Sequence, residues 1–149
     1  ALIRLAEIPP APLYKGGNTI YGQALNKSID LNPKNADALN NRAGVYVGLG
    51  SYQKAIEDLH KAVELNPKYA IAYNNRAGVH VSLGNYKQAI QDCDKAIELN
   101  PKYAEAYNNR GNGYVRIGQY KKAIEDYGKA LEINPKYVQW LIITERQPI

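Results

Sequence analysis

The chain is poor in the residues that most often carry chemistry. Its sequence includes no Phe, no Met, one cysteine and two histidines. A single cysteine excludes an internal disulfide. Cys93, His60 and His80 form no cluster with zinc-ligand spacing, and no glycine-rich phosphate-binding loop occurs. We therefore expect a protein that is not an enzyme and needs no metal or cofactor.

Long hydrophobic runs are also missing. No apolar stretch approaches the length of a membrane-spanning helix. The start of the chain lacks the basic flank and apolar core of a signal peptide. The sequence therefore does not determine the cellular compartment, and we favour the cytoplasm.

A single long period dominates the sequence. The dipeptide Asn-Pro recurs with its prolines 34 apart, at Asn32-Pro33, Asn66-Pro67, Asn100-Pro101 and Asn134-Pro135. The full units between them are 36–69, 70–103 and 104–137. Self-similarity at a fixed period predicts a stacked repeat architecture.

Each unit is predicted to be a pair of helices. The first helix ends at a glycine, which suits a left-handed C-terminal cap, and the second ends before Asn-Pro. The second helix of the first unit carries an apolar stripe with intervals of three and four. Small residues recur where the two helices of a pair would approach each other closely: Ala43, Ala77 and Gly111 on the first helix, and Ala55, Ala89 and Ala123 on the second.

This pattern resembles the tetratricopeptide repeat family. The third unit supplies its characteristic positions with Tyr107, Arg110-Gly111, Tyr114, Ala123, Tyr127 and Pro135. The sequence departs from the family at Arg42, Arg76 and Arg110, where Leu is usual, and at Leu59 and Cys93, where Phe is usual. The resemblance implies an all-α, right-handed solenoid of antiparallel helix hairpins with three full repeats.

The two ends depart from the repeat. Residues 18–35 match a half repeat, a second helix without its first, and the prolines upstream predict an irregular arm over residues 1–17. Residues 138–149 form an apolar stub or cap. We favour the interpretation that this stub folds over the last hairpin. The alternative is a homo-oligomer through Trp140, Leu141, Ile142 and Ile143.

Several side chains have a predicted structural role. Asp58, Asp92 and Asp126 follow the three arginines at a constant offset in sequence, which predicts an ion pair inside each hairpin. His80 replaces a repeated tyrosine and is expected to pack, whereas His60 is expected to be solvated. Cys93 is expected in the core. Lysines and carboxylates four apart, such as Lys54 and Asp58, are expected to pair on a solvated helix face.

In the family, the first helices line a concave groove that holds a partner segment. The residues expected to face this groove carry two acids and one base, a net charge of −1, which does not suit a nucleic-acid channel. The groove also lacks the lysines with which some members grip a partner's C-terminal carboxylate. The predicted groove residues are Asp37, Asn40, Asn41, Gly44, Val47, Gly48, Ile71, Asn74, Asn75, Gly78, Val81, Ser82, Glu105, Asn108, Asn109, Asn112, Val115 and Arg116.

The groove's most regular feature is a repeated Asn-Asn pair. We predict that Asn41, Asn75 and Asn109 form a ladder that holds a partner's backbone, because an amide can both donate and accept. Replacing them by Ala is expected to weaken binding while folding survives or improves. The sequence thus favours a scaffold that binds a protein or peptide. A self-assembling solenoid is the alternative, and nucleic-acid binding has low weight.

Overall fold

The computed structural model describes residues 20–136, and this part of the chain consists of helices without any strand, which confirms the all-α prediction. The expected arm over residues 1–17 and the stub over 138–149, with Trp140–Ile143, lie outside the described residues. The helices are α1 (Ile20–Leu31), α2 (Ala36–Gly48), α3 (Tyr52–Leu65), α4 (Ala70–Ser82), α5 (Tyr86–Leu99), α6 (Ala104–Arg116) and α7 (Tyr120–Ile133).

The helix ends follow from local chemistry. Gly50, Gly84 and Gly118 adopt φ angles of 69°, 79° and 76°, the left-handed region predicted for the turn inside each hairpin. The asparagine side chain stabilises each Asn-Pro turn by accepting a hydrogen bond from a backbone N–H two residues later. The Oδ1 atom of Asn66, for example, accepts a hydrogen bond from the backbone N–H of Lys68 at 3.2 Å.

The helices form three hairpins, α2–α3, α4–α5 and α6–α7, stacked in sequence order. The first helices α2, α4 and α6 also contact their counterparts in the next hairpin. Among the described helices, the second helices α3, α5 and α7 make no such contacts with one another. The stack is therefore curved, with the first helices on its inner side.

Small residues allow the helices of each hairpin to pack closely. Ala43, Ala55, Ala77 and Ala89 are fully buried, as predicted, and Ala123 is 1% exposed. Cys93 is also fully buried, and burial raises the pKa of its thiol to about 12. The cysteine is thus a core residue, as expected, and not a reactive thiol.

The predicted ion pairs are present in all three hairpins. Nε and one terminal nitrogen of each arginine donate to the two oxygens of its aspartate at 2.7 Å or 2.8 Å. The side chains of Asp58, Asp92 and Asp126 are at most 8% exposed. A two-pronged contact of this kind satisfies both buried charges.

The prediction of a solvated pair between Lys54 and Asp58 is wrong, because the aspartate is buried and forms its ion pair with Arg42. Lys54 instead lies over the ring of Tyr46, 5.7 Å from its centroid. On the outer face of α7, Lys129 pairs with Glu132 at 2.9 Å.

Each arginine also reaches the preceding second helix. Nη1 of Arg42 donates a hydrogen bond to Oδ1 of Asn26 at 3.0 Å. Nη1 of Arg110 donates to Oδ1 of Asp94 at 2.7 Å. Nη1 of Arg76 lies 3.4 Å from His60 Nδ1, so the exposed His60 has a partner that the sequence did not suggest. The arginines therefore join neighbouring hairpins as well as the helices within one.

Candidate functional site

The inner faces of α2, α4 and α6, with Leu59 of α3, line a half-open cavity of about 350 Å³ at the middle of the stack. Its lining combines core residues with residues predicted to face the groove. The core contributes Ala43, Leu59 and Val79, and the predicted groove contributes Gly44, Val47, Asn74, Asn75, Gly78, Ser82 and Asn109. The cavity is thus bounded by carboxamide, hydroxyl, apolar and bare backbone groups.

The asparagine pairs are cross-linked between repeats. Nδ2 of Asn75 donates to Oδ1 of Asn40 at 2.9 Å, and Nδ2 of Asn109 donates to Oδ1 of Asn74 at 2.9 Å. The second asparagine of one repeat therefore bonds the first asparagine of the repeat before it. The sequence showed two parallel rows, and the constant offset that joins one row to the other was the signal that could have revealed this link.

The two asparagines of a pair have different environments. Asn40 and Asn74 are only 6% and 3% exposed, and Nδ2 of Asn74 also donates to the hydroxyl of Tyr103 at 3.2 Å. Asn41 and Asn75 are exposed, and Asn108 and Asn109 are half-buried. Among the described residues, Oδ1 of Asn75 and of Asn109 accepts no hydrogen bond within the chain. These two oxygens and the second N–H of each amide have no partner among residues 20–136, and both side chains line the cavity.

The apolar and polar positions beyond the amides are less uniform than predicted. Val47 and Val115 are 39% and 37% exposed, but Val81 packs against the cluster of Ala77, Ala89 and Cys93. Asn112 is held in place because its Oδ1 accepts a hydrogen bond from the Tyr127 hydroxyl at 2.7 Å.

Among the described residues, the charged members of the predicted groove lie at the ends of helices. No charged side chain lines the cavity itself within residues 20–136. Asp37, Glu105 and Arg116 are exposed at the ends of α2 and α6. Hydrogen bonding to Asp37, together with burial as the larger cause, raises the pKa of Tyr69 to about 12. Exposed lysines lie in the turns that follow α1, α3, α5 and α7: Lys34, Lys68, Lys102 and Lys136. No lysine or arginine among residues 20–136 lines the cavity, whereas a groove that tracks a nucleic-acid backbone is positively charged.

Between residues 20 and 136, no three His, Cys, Asp or Glu side chains come together as metal ligands could. The helices found there are also too short or too polar to cross a membrane.

The fold is that of a helical-repeat solenoid with a concave inner surface formed by its first helices. Residues 36–69, 70–103 and 104–137 each match the tetratricopeptide repeat family. The chain belongs to this family. Tetratricopeptide repeats commonly mediate protein–protein interaction, and the fold serves as a scaffold without catalytic machinery.

Solved structures agree with this assignment. A crystal structure of MamA is 32% identical over 78% of this chain and 68% of its own, with a TM-score of 0.73. The first tetratricopeptide domain of Spaghetti (RPAP3), bound to the HSP90 peptide SRMEEVD, is 30% identical over 67% of this chain and 79% of its own, with a TM-score of 0.66. The OM64 domain from Arabidopsis is 30% identical over 68% of this chain and 84% of its own, with a TM-score of 0.67. No curated protein sequence matches the chain.

Proposed function

We propose that this protein is an interaction scaffold that binds a peptide segment of a partner protein in the groove formed by α2, α4 and α6. The observation that carries the proposal is the pair of open amides in the cavity, on Asn75 and Asn109. Each is fixed by one hydrogen bond to the preceding repeat and keeps an acceptor and a donor for a ligand. Such a side chain can bind both the C=O and the N–H of a peptide backbone, whatever the side chains of the peptide are.

The remaining predicted groove residues have supporting roles. Asn40, Asn74 and Asn108 support or flank the open amides, Asn41 extends their row, and Asn112 closes it. Val47 and Val115 supply apolar contact, with Val81 beneath them, while Asp37, Glu105 and Arg116 bias the charge of the partner.

The peptide of the Spaghetti complex is a poor guide to this partner. Its sequence, SRMEEVD, is predominantly acidic, with Glu, Glu and Asp against a single Arg. The cavity described above contains no lysine or arginine, and two of the three charges at its edge are acidic. An acidic peptide would therefore lose hydration without gaining a compensating partner.

Selection of peptides from a random phage-displayed library against the full chain tests the proposal. Peptides recovered in this way are titrated calorimetrically into the wild type and into Asn75→Ala with Asn109→Ala. We expect binding to weaken by tenfold or more, because each lost net hydrogen bond is worth about 0.5–1.5 kcal/mol. Gln91→Ala on the outer helix α5 removes an exposed amide and should leave binding unchanged. Equal affinity of all three proteins for the peptide would reject the proposal that the peptide binds in the groove.

Self-association is a second candidate, because within residues 20–136 no first helix precedes α1 and packs against it as α2, α4 and α6 pack against α3, α5 and α7. Among the described helices α1 contacts only α2. Ile20 and Leu31 are 88% and 77% exposed, and Tyr21, which occupies the place of the buried Ala55, is 56% exposed. We propose that residues 138–149 of a second copy, with Trp140–Ile143, cover this face.

Light scattering at increasing concentration tests this candidate. The proposal expects a mass above that of one chain. It also expects a return to the monomer mass after truncation behind Tyr137 or after Tyr21→Glu. A wild-type chain that stays monomeric at millimolar concentration would reject it.

A further inference from the structure

The two glycines that line the cavity have no packing or backbone reason to be glycine. Gly44 and Gly78 lie in the middle of α2 and α4, at equivalent places in successive repeats, and both line the cavity. A Cβ built on either residue meets no atom within 4 Å. Their φ angles are not positive, because the positive-φ glycines of the described chain are Gly50, Gly84 and Gly118. Glycine is a poor helix former, so packing and backbone geometry both favour alanine here.

We propose that Gly44 and Gly78 form the floor on which the backbone of an extended partner segment lies, beside the open amides of Asn75 and Asn109. This inference rests on the function proposed above and adds the way in which the segment is held. Without a Cβ, a partner's main chain can approach the helix closely enough for its peptide groups to reach amides one turn away.

The spacing of the repeats fits an extended segment. Successive packed helices lie about 8–10 Å apart. An extended chain advances about 3.3 Å per residue. Asn75 and Asn109, on neighbouring first helices, would thus contact peptide units about three residues apart.

The glycine floor ends at the third repeat. The residue equivalent to Gly44 and Gly78 is Asn112, whose side chain is fixed by the hydroxyl of Tyr127. The bare backbone therefore extends over α2 and α4 but not over α6. The segment is expected to have small side chains where it crosses α2 and α4.

Charge defines the partner further. The cavity lacks a cationic side chain, and the three exposed charges on the first helices that bound it, Asp37, Glu105 and Arg116, sum to −1. An uncharged or basic segment avoids like-charge repulsion and the desolvation of an unpaired carboxylate. The partner is thus an extended, non-acidic peptide segment that presents small side chains to the groove.

The tightest peptide from the phage selection is the probe for this inference. Its affinity is measured for the wild type, Gly44→Ala, Gly78→Ala and Gly128→Ala, with thermal melts of each. Gly128 lies on α7, is exposed, and also has no atom within 4 Å of a Cβ, so it is a matched control. All three substitutions should raise the melting temperature by a few degrees. Only those at 44 and 78 should weaken binding, by tenfold or more.

The outcomes separate this inference from the proposed function. A peptide whose binding needs Asn75 and Asn109 but tolerates alanine at 44 and 78 would overturn the glycine floor and leave the groove in place. A peptide that is insensitive to the asparagines would overturn both. Peptides rich in Asp or Glu would overturn the charge preference. Replacement of a small residue of the probe by Trp should reproduce the loss caused by alanine at 44 or 78.

Discussion

Gly111 and Tyr127 form a size-matched pair: a Cβ on residue 111 would lie 2.7 Å from Cε1 of the tyrosine ring. The equivalent pairs in the other hairpins are Ala43 with Leu59 and Ala77 with Cys93, and all four of these residues are buried core. Among the three pairs, the largest second-helix residue, Tyr127, is thus opposed by the smallest first-helix residue, Gly111. Close-packed interiors require this kind of compensation.

Gly111→Ala is expected to destabilise the wild type by about 1 kcal/mol, because overpacking costs more than the improved helix propensity returns. In a Tyr127→Leu background, which recreates the Ala43–Leu59 pair, the same substitution should stabilise by up to about 1 kcal/mol. Urea denaturation of the four proteins of this cycle measures the change. The matching is refuted if Gly111→Ala has the same sign in both backgrounds.

Arg110 joins two aspartates of unequal burial. It contacts Asp126 in its own hairpin and Asp94 in the preceding one, both at 2.7 Å, and their side chains are 8% and 53% exposed. The hydrogen bonds with Asp126 are the main cause that raises the pKa of Arg110. Removal of the buried partner leaves a mostly buried cation without its two-pronged contact.

We therefore predict that Asp126→Ala lowers the free energy of unfolding by about 2–4 kcal/mol. Asp94→Ala should lower it by less than about 1 kcal/mol, because that pair is largely solvated. Both values come from urea unfolding monitored by circular dichroism. Equal losses would show that the two contacts do not differ as their burial indicates.

The helical fold was predictable because a fixed period repeats every local signal three times. Gly50, for instance, marks the end of a first helix in the sequence and has the φ angle of a left-handed cap in the structure. The Arg–Asp pairs were predictable for the same reason, since their constant offset recurs in each repeat. Contacts within one hairpin depend only on the repeat itself.

Contacts between hairpins were not predicted, because the offsets that join them become visible only when one repeat is compared with the next. The bond from Asn75 to Asn40 crosses from one repeat to the next, as does the approach of Arg76 to His60. Neither contact leaves a periodic trace within a single unit. The same limit applies to the groove: most of its lining residues were predicted, but the bonds that link its first helices were not.

The asparagine cross-link changes one expectation from the sequence. Loss of all three second asparagines was expected to leave folding intact or improved, but Asn75 satisfies the buried Oδ1 of Asn40. We predict that Asn75→Ala costs about 1 kcal/mol, because an unsatisfied buried acceptor outweighs the better helix propensity of alanine. Asn41→Ala, which removes only a 3.5 Å contact, should be neutral or slightly stabilising. Thermal melts of both variants provide the comparison, and equal melting temperatures would contradict it.

His80 introduces a pH dependence of folding stability at a position where the other two repeats have tyrosine. It replaces Tyr46 and Tyr114, its Nδ1 is buried without a hydrogen-bond partner in the described chain, and its Nε2 lies 3.8 Å from Asp92 Oδ2. Burial lowers the pKa of His80 below its ordinary value. Arg76 and His60 lower it further, while Asp92 opposes them.

A lowered pKa in the folded state means that the unfolded chain takes up the proton first as the pH falls. The stability associated with neutral His80 is therefore present above the unfolded pKa of about 6.5 and is lost as the pH falls toward the folded pKa. We predict that His80→Tyr, which restores the residue of the other two repeats, reduces the drop in melting temperature between pH 7.5 and pH 5.0. Paired melts at the two pH values compare this variant with the wild type, and the carboxylates common to both proteins cancel in the comparison. An identical drop in the two proteins would show that His80 titrates alike in the folded and unfolded chain.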